Sequence, residues 1–178
     1  TVTRTGLSAG AGGATWTTSA GTATANSDYT TATNTLSWTS GDTANKTFNV
    51  TILDDFIVEA NETFTVTLSS PTGGATLGAT SAATVTITEN DTPGSLQLSA
   101  STYGVNEGAG TVTITATRTG GMGDAVSVNY ATSDGTAAAG SDYTNTSGTF
   151  SWAAGESANK TVNIPITNDT DIDVSETF

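Results

Sequence analysis

Apolar and polar residues alternate one by one through most of the chain, which is the two-residue period of a strand with one buried face. Val112, Ile114 and Ala116 alternate with threonines, and Val126, Val128 and Tyr130 alternate with Ser127 and Asn129. Phe150 shares a face with Trp152, and Val162 shares one with Ile164 and Ile166. Earlier in the chain the same period joins Leu36 to Trp38, then Phe48, Val50 and Ile52, then Phe64, Val66 and Leu68, then Val85 and Ile87. No segment carries a helical period. Gly, Asp and Asn turns separate the segments, so the pattern predicts about seven short strands per unit, folded as an antiparallel two-sheet sandwich. Pro165 has no N–H to give a ladder, which places its strand at a sheet edge or a bulge.

The segments repeat. Arg4-Thr5-Gly6 recurs as Arg118-Thr119-Gly120, Ser27-Asp28-Tyr29-Thr30 as Ser141-Asp142-Tyr143-Thr144, and Glu62-Thr63-Phe64 as Glu176-Thr177-Phe178. Every pair is offset by 114 residues without a gap, and positions 1–64 match 115–178 at 30 of 64 places, which identifies a tandem duplication. The expected domains are residues 1–92 and 93–178, joined at the turn-forming Asp91-Thr92-Pro93-Gly94. In this register repeat one lacks its first strand and repeat two its last two. The spacing therefore predicts a window on a longer array.

Composition narrows the chemistry. Four Lys and Arg against 17 Asp and Glu leave a formal charge of −13, too little cationic surface for a nucleic-acid binder that works by phosphate neutralisation. There is no Cys and no His, so thiol catalysis, disulfides, thiolate metal sites and imidazole general bases are excluded. The apolar runs are too short to insert in a bilayer. Threonine is the commonest residue, 41 of 178, and is a β-branched strand former rather than an ice-binding array, because acidic loops interrupt the faces.

Those acids gather in loops. Asp54, Asp55 and Glu59 follow the strand ending at Ile52, Asp28 sits in the loop Ala25–Tyr29, and Glu89, Asn90 and Asp91 follow the strand ending at Ile87. Alternate strand ends of a sandwich lie at one pole, so the three loops are positioned to converge. A cation relieves the repulsion between them, and an oxygen-only donor set selects a hard ion such as Ca²⁺. Asp and Asn are also ordinary turn formers, so solvated loops are the plain alternative.

Further residues carry a family likeness. Val105-Asn106-Glu107-Gly108-Ala109-Gly110, Arg118-Thr119-Gly120, Asp134-Gly135-Thr136-Ala137 through Asp142-Tyr143, Asn168-Asp169 with Glu176-Thr177-Phe178, and the ending Ala83–Asp91 together resemble the Calx-β domain, across both repeats. The resemblance implies two tandem immunoglobulin-like β-sandwiches, with Ca²⁺ held in loops at one end. Carried over by position, it implies ligands Asp28, Asp54, Asp55, Glu59, Glu89, Asn90 and Asp91 in repeat one, and Glu107, Asp142, Asn168, Asp169 and Asp173 in repeat two. Two departures matter: Asn168 stands where repeat one has the acid Asp54, and Asn90 interrupts an otherwise acidic run. With Asn168 removing one charge and its terminal cluster expected beyond this window, repeat two is expected to bind calcium more weakly in this fragment. Asp134 is read as a turn former, since its counterpart is Ala20, and Glu62 and Glu176 as surface residues guarding a strand edge.

These readings lead to a non-enzymatic, calcium-stiffened spacer in a large secreted or cell-surface adhesion protein, bacterial surface proteins included. Its partners would be the neighbouring repeats, and a cell-surface or matrix ligand engaged through other domains; nucleic acid and membrane insertion are not expected. The alternative is a subunit of an extracellular filament assembled by strand exchange, with calcium incidental. A two-carboxylate glycosidase is disfavoured, because duplicated acid clusters without an aromatic sugar platform suit metal loops better.

Overall fold

The computed structural model describes residues 1–6, 9–170 and 175–178. The described elements are strands apart from one 3-10 turn, and no helix among them is long and apolar enough to cross a membrane. The chain divides into two compact units. The first comprises Thr1–Asp55 and Glu59–Glu89, the second Phe56–Val58 and Asn90–Phe178.

In the first unit β1 (Gly12–Ala20), β2 (Thr33–Trp38), β3 (Glu62–Thr72) and β4 (Ala82–Ile87) form one antiparallel sheet in the order β2-β1-β3-β4. The alternation sets which face is buried. Leu36 and Trp38 of β2 are buried while the residue between them is exposed, and Trp16 of β1 joins them. Phe48 lies across this sheet with its ring stacked on Trp16, centroids 3.9 Å apart. A second cluster holds Ala23, Tyr29 and Phe64, with the Tyr29 and Phe64 rings stacked at 4.3 Å. The expected strand through Phe48, Val50 and Ile52 does not form. Isolated bridges bound it, Val2 to Lys46 and Tyr29 to Ile52, but no ladder runs between. The segment is tied near its ends by backbone bonds, Val2 with Lys46 and the Thr30 N–H to the Thr51 carbonyl at 2.9 Å.

The second unit shows the same segment paired. There β5 (Ser95–Leu98), β6 (Thr111–Thr119) and β9 (Lys160–Pro165) form one antiparallel sheet, β5-β6-β9, and β7 (Val126–Ala131) pairs with β8 (Ser147–Trp152) in another. Each half thus has fewer regular strands than the seven expected from the period. β9 lies at the sheet edge and ends in Pro165, as the missing N–H requires. Ala116, Phe150 and Trp152 form one core cluster, while Val112, Ala137, Tyr143 and Ile164 form the other. Glu107–Ala109 makes a single 3-10 turn closed by Gly110 at φ 77°. Sequence periodicity misses it because three residues are too few to show a period.

The duplicated Arg-Thr-Gly has a structural explanation. The buried Arg118 guanidinium donates to the carbonyls of Pro93, Gly123, Asp124, Ala153 and Glu156. Five donors fixed in one plane let a single side chain tie several loop ends together. Arg4 does the same on a smaller scale, reaching the carbonyls of Gly10, Thr39 and Asp42.

Candidate metal centre

The loop that carries Asp28 is built by its own backbone. Ser27 and Asp28 donate their N–H groups to the Thr24 carbonyl, and the Thr24 N–H returns a bond of 2.5 Å to Asp28 Oδ2. Asn26 takes a left-handed φ of 66°, and its counterpart Gly140 takes 95°. Short polar Asn and side-chain-free Gly are the residues that tolerate this conformation. Leu53 N–H bonds to the Asp28 carbonyl at 2.9 Å, which joins this loop to the one carrying Asp54 and Asp55. Asp28 is thereby held almost fully buried, 9% exposed, at the edge of the core.

Three carboxylates meet at this place: oxygens of Asp28, Glu59 and Glu62 lie within 4.8 Å of one another. The group is wholly inside the first unit. Glu89 stands beside it, its Oε2 accepting the Glu59 N–H at 2.8 Å, while its own N–H is held by Asn61 Oδ1 at 2.9 Å. The electrostatics show the crowding. Glu62 is raised above the ordinary glutamate range, first by a hydrogen bond shared with Asp28, then by desolvation and by the charges of Asp28, Glu59 and Glu89. A cation placed among these oxygens would neutralise the charges that crowd Glu62.

Glu62 was read from sequence as a surface residue; the structure instead aims it into the cluster. A signal was available. Glu62 and Phe64 lie two apart on β3, hence on the same face, and Phe64 is 1% exposed. Asp54 and Asp55 are exposed on the neighbouring loop and fall outside the three-carboxylate group. Asn90 and Asp91 belong to the second unit.

The second unit repeats the loop almost atom for atom. Ser141 and Asp142 donate to the Ala138 carbonyl, Ala138 N–H returns to Asp142 Oδ2 at 2.6 Å, and Thr167 N–H bonds to the Asp142 carbonyl at 2.9 Å. Glu107 Oε1 accepts the Asp169 N–H at 2.7 Å, and Asn168 Oδ1 lies beside Gly108. Glu107, Asn168 and Asp169 are thus neighbours, with Asp142 one backbone bond away from the same loop. Asp173 lies outside the described residues. Asp134, read as a turn former, accepts the Ala139 N–H at 2.9 Å but also the Tyr143 hydroxyl at 2.7 Å. That second bond holds Asp134 below its ordinary range and pushes Tyr143 above its own.

Tandem antiparallel β units with acidic loops at strand ends, and no nitrogen or sulfur ligands, define a class of hard-cation β-repeat modules. The Calx-beta domain model matches residues 1–91 and again 89–178, so the chain belongs to the Calx-beta domain family. In zebrafish (Danio rerio) the chain is similar to "Adhesion G-protein coupled receptor V1", at 44% identity over 99 residues. That match covers 52% of this chain and 2% of the receptor's length. Among solved structures it is similar to the crystal structure of CBD12 from CALX1.2, at 26% identity and TM-score 0.50, covering 96% of this chain and 68% of that one. It is also similar to the crystal structure of calcium binding domain CBD12 of CALX1.1, at 27% identity and TM-score 0.50, covering 94% and 67%.

Proposed function

We propose that this chain is a calcium-binding pair of spacer repeats, residues 1–92 and 93–178, in a large secreted or cell-surface adhesion protein. The observation that carries the reading is the convergence of Asp28, Glu59 and Glu62, whose carboxylate oxygens lie within 4.8 Å of one another. Three carboxylates from two loops and a strand start repel one another until a cation is bound. Their flexible all-oxygen geometry suits Ca²⁺ better than the small, strictly octahedral Mg²⁺. The likeness to a structure described as a calcium binding domain supports the choice of ion. The likeness to part of an adhesion receptor supports an extracellular setting and a repeat-array context.

When bound, the ion would supply a charge that ties the Ala23–Tyr29 loop, the segment around Glu59 and the start of β3 into one rigid end. Glu89, Asn90 and Asp91 immediately precede Thr92-Pro93 in the sequence, so stiffening there would propagate along an array. Neighbouring repeats are the proposed partners, and target recognition belongs to other domains. The role is mechanical rather than catalytic. Extracellular calcium modules of this kind bind with dissociation constants of about 10⁻⁴ to 10⁻³ M.

Thermal unfolding in EDTA and then in millimolar Ca²⁺ tests the proposal. A ligand that binds only the folded state at 100 times its dissociation constant adds about 2.7 kcal/mol. The expected outcome is a rise of several degrees in the first unit's transition, absent with Mg²⁺. An unchanged transition in Ca²⁺ would leave the acidic loops merely solvated.

A further inference from the structure

Seven Asn-x-Ser or Asn-x-Thr triplets stand in the chain, and a sequence with 41 threonines collects such triplets by chance. The motif alone decides nothing, and its place in the fold has to separate one triplet from another. Two of the seven, Asn45-Lys46-Thr47 and Asn159-Lys160-Thr161, hold the same position in the two repeats. In both, the Asn and the Thr are exposed, while the Lys between them is half-buried.

Each loop is anchored from its inner side. Trp38 donates its indole N–H to the Ala44 carbonyl at 2.7 Å, and Trp152 donates to the Ala158 carbonyl at the same distance. Lys46 pairs with Asp42 at 2.8 Å, and Lys160 pairs with Glu156. The anchored residues thus flank the Asn and leave its own side chain outward. Other triplets are engaged differently: Asn61 Oδ1 holds the Glu89 N–H beside the acidic cluster, and Asn145 Oδ1 accepts the Thr132 hydroxyl at 2.8 Å.

The position along the sheet matters as well. β2 runs from Thr33, opposite Thr17, to Trp38, opposite Gly12. The Asp28 loop leads into the Thr33 end, so Asn45 follows the other end of the strand. β8 repeats this: the Asp142 loop leads into Ser147, and Asn159 follows Trp152. Bulk attached at either Asn stands away from the Asp28 or Asp142 loop of its own unit.

We infer that Asn45 and Asn159 are acceptors of N-linked glycans. The donor is an oligosaccharide carried on a lipid pyrophosphate. The Asn Nδ2 forms a C–N bond to the anomeric carbon as the sugar–phosphate C–O bond breaks; the lipid pyrophosphate leaves, and the amide gives up one proton. Thr47 and Thr161 complete the triplet that a transferase reads, and the product is a bulky, solubilising surface group. Acceptance of sugar at these sites rests on the secreted or cell-surface setting proposed above and is independent of calcium.

The whole chain, expressed behind a cleavable secretion leader in a eukaryotic host, provides the test. Peptide N-glycanase in heavy-oxygen water converts each glycosylated Asn to a labelled Asp, which peptide masses read site by site. The expected result is label at both Asn45 and Asn159, lost from the first site in Thr47→Ala and from the second in Thr161→Ala, while β1 and β6 keep their exchange protection. Either Asn unlabelled in the unsubstituted chain, or label that persists in its Thr→Ala variant, would overturn the proposal. The leader itself supplies passage through the secretory route, so an unlabelled chain refutes these acceptors and leaves the cell-surface setting standing. Surface biotinylation of intact cells that make the parent protein tests that setting separately.

Discussion

Residues 46–51 and 160–165 are duplicated segments, identical at three of six positions, in two different states. Asn-Lys-Thr is shared, and apolar residues alternate at the same places, yet Lys160–Pro165 is a strand and its counterpart is not. β6 runs along the later segment for six residues, and the earlier one carries the Val2–Lys46 bridge and a Thr30 N–H bond to the Thr51 carbonyl. Strand propensity is permissive, and the ladder is decided by what lies alongside. A second contrast concerns two buried tyrosines. Tyr143 donates to Asp134, whereas the Tyr29 hydroxyl, in a residue 0% exposed, has no hydrogen-bond partner among the described residues. The cause is one substitution in the repeat, Ala20 at the place of Asp134.

The largest expected effect breaks the two cores. Trp152 is 1% exposed and Trp38 6%, and each donates its indole N–H to a carbonyl at 2.7 Å, of Ala158 and Ala44 respectively. Trp152→Ala should cost about 3–5 kcal/mol in urea unfolding of the second unit, and Trp38→Ala should fall at the lower end of that range. Equal costs would mean that the unladdered segment covers Trp38 as well as β9 and its sheet cover Trp152.

Next come the arginines. Arg118→Met leaves five carbonyls without their donor and should cost about 3 kcal/mol, whereas Arg4→Met, with three partly exposed acceptors, should cost about 1 kcal/mol. Denaturant midpoints of the two units, followed by hydrogen exchange, separate the effects.

The tyrosine contrast can be reversed. Ala20→Asp should give Tyr29 the partner Tyr143 has, raising the first unit's Tm by about 4 °C, and Asp134→Ala should lower the second unit's by a similar amount. A smaller effect is pH dependence. Glu62 titrates above its ordinary range, so in EDTA its contribution to first-unit stability is complete below the ordinary glutamate value and lost as pH rises through the raised one. Calcium should flatten that slope and release protons on binding, read as a buffer-dependent heat. A slope unchanged by calcium would detach Glu62 from the ion.

The 114-residue offset made most of the architecture legible, because duplicated turns and alternating faces mark the same loops twice. Asp28 and Glu59 were legible as loop acids that converge. Glu62 was not, because a lone acid before a strand looks like an edge residue until the face it shares with Phe64 is followed inward. The role of Asp134 beyond its turn was hidden for a different reason. Its partner Tyr143 is nine residues away across a folded loop, and no local pattern links the two. Alternation through Phe48–Ile52 reports a buried face and not a pairing partner, so by itself it does not place a ladder there.

Calcium binding by the Asp28, Glu59 and Glu62 carboxylates is open to direct measurement. Isothermal titration of Ca²⁺ into the EDTA-stripped chain, beside a chain carrying Asp28→Asn and Glu62→Gln, tests it most directly. Asn and Gln keep an oxygen acceptor and remove the charge, so the Thr24 N–H bond that shapes the loop can persist. The expected result is a site with a dissociation constant of about 10⁻⁴ to 10⁻³ M, weakened at least tenfold in the variant while β1 and β3 keep their exchange protection. Binding of equal strength in the two chains, or no calcium heat in either, would contradict it.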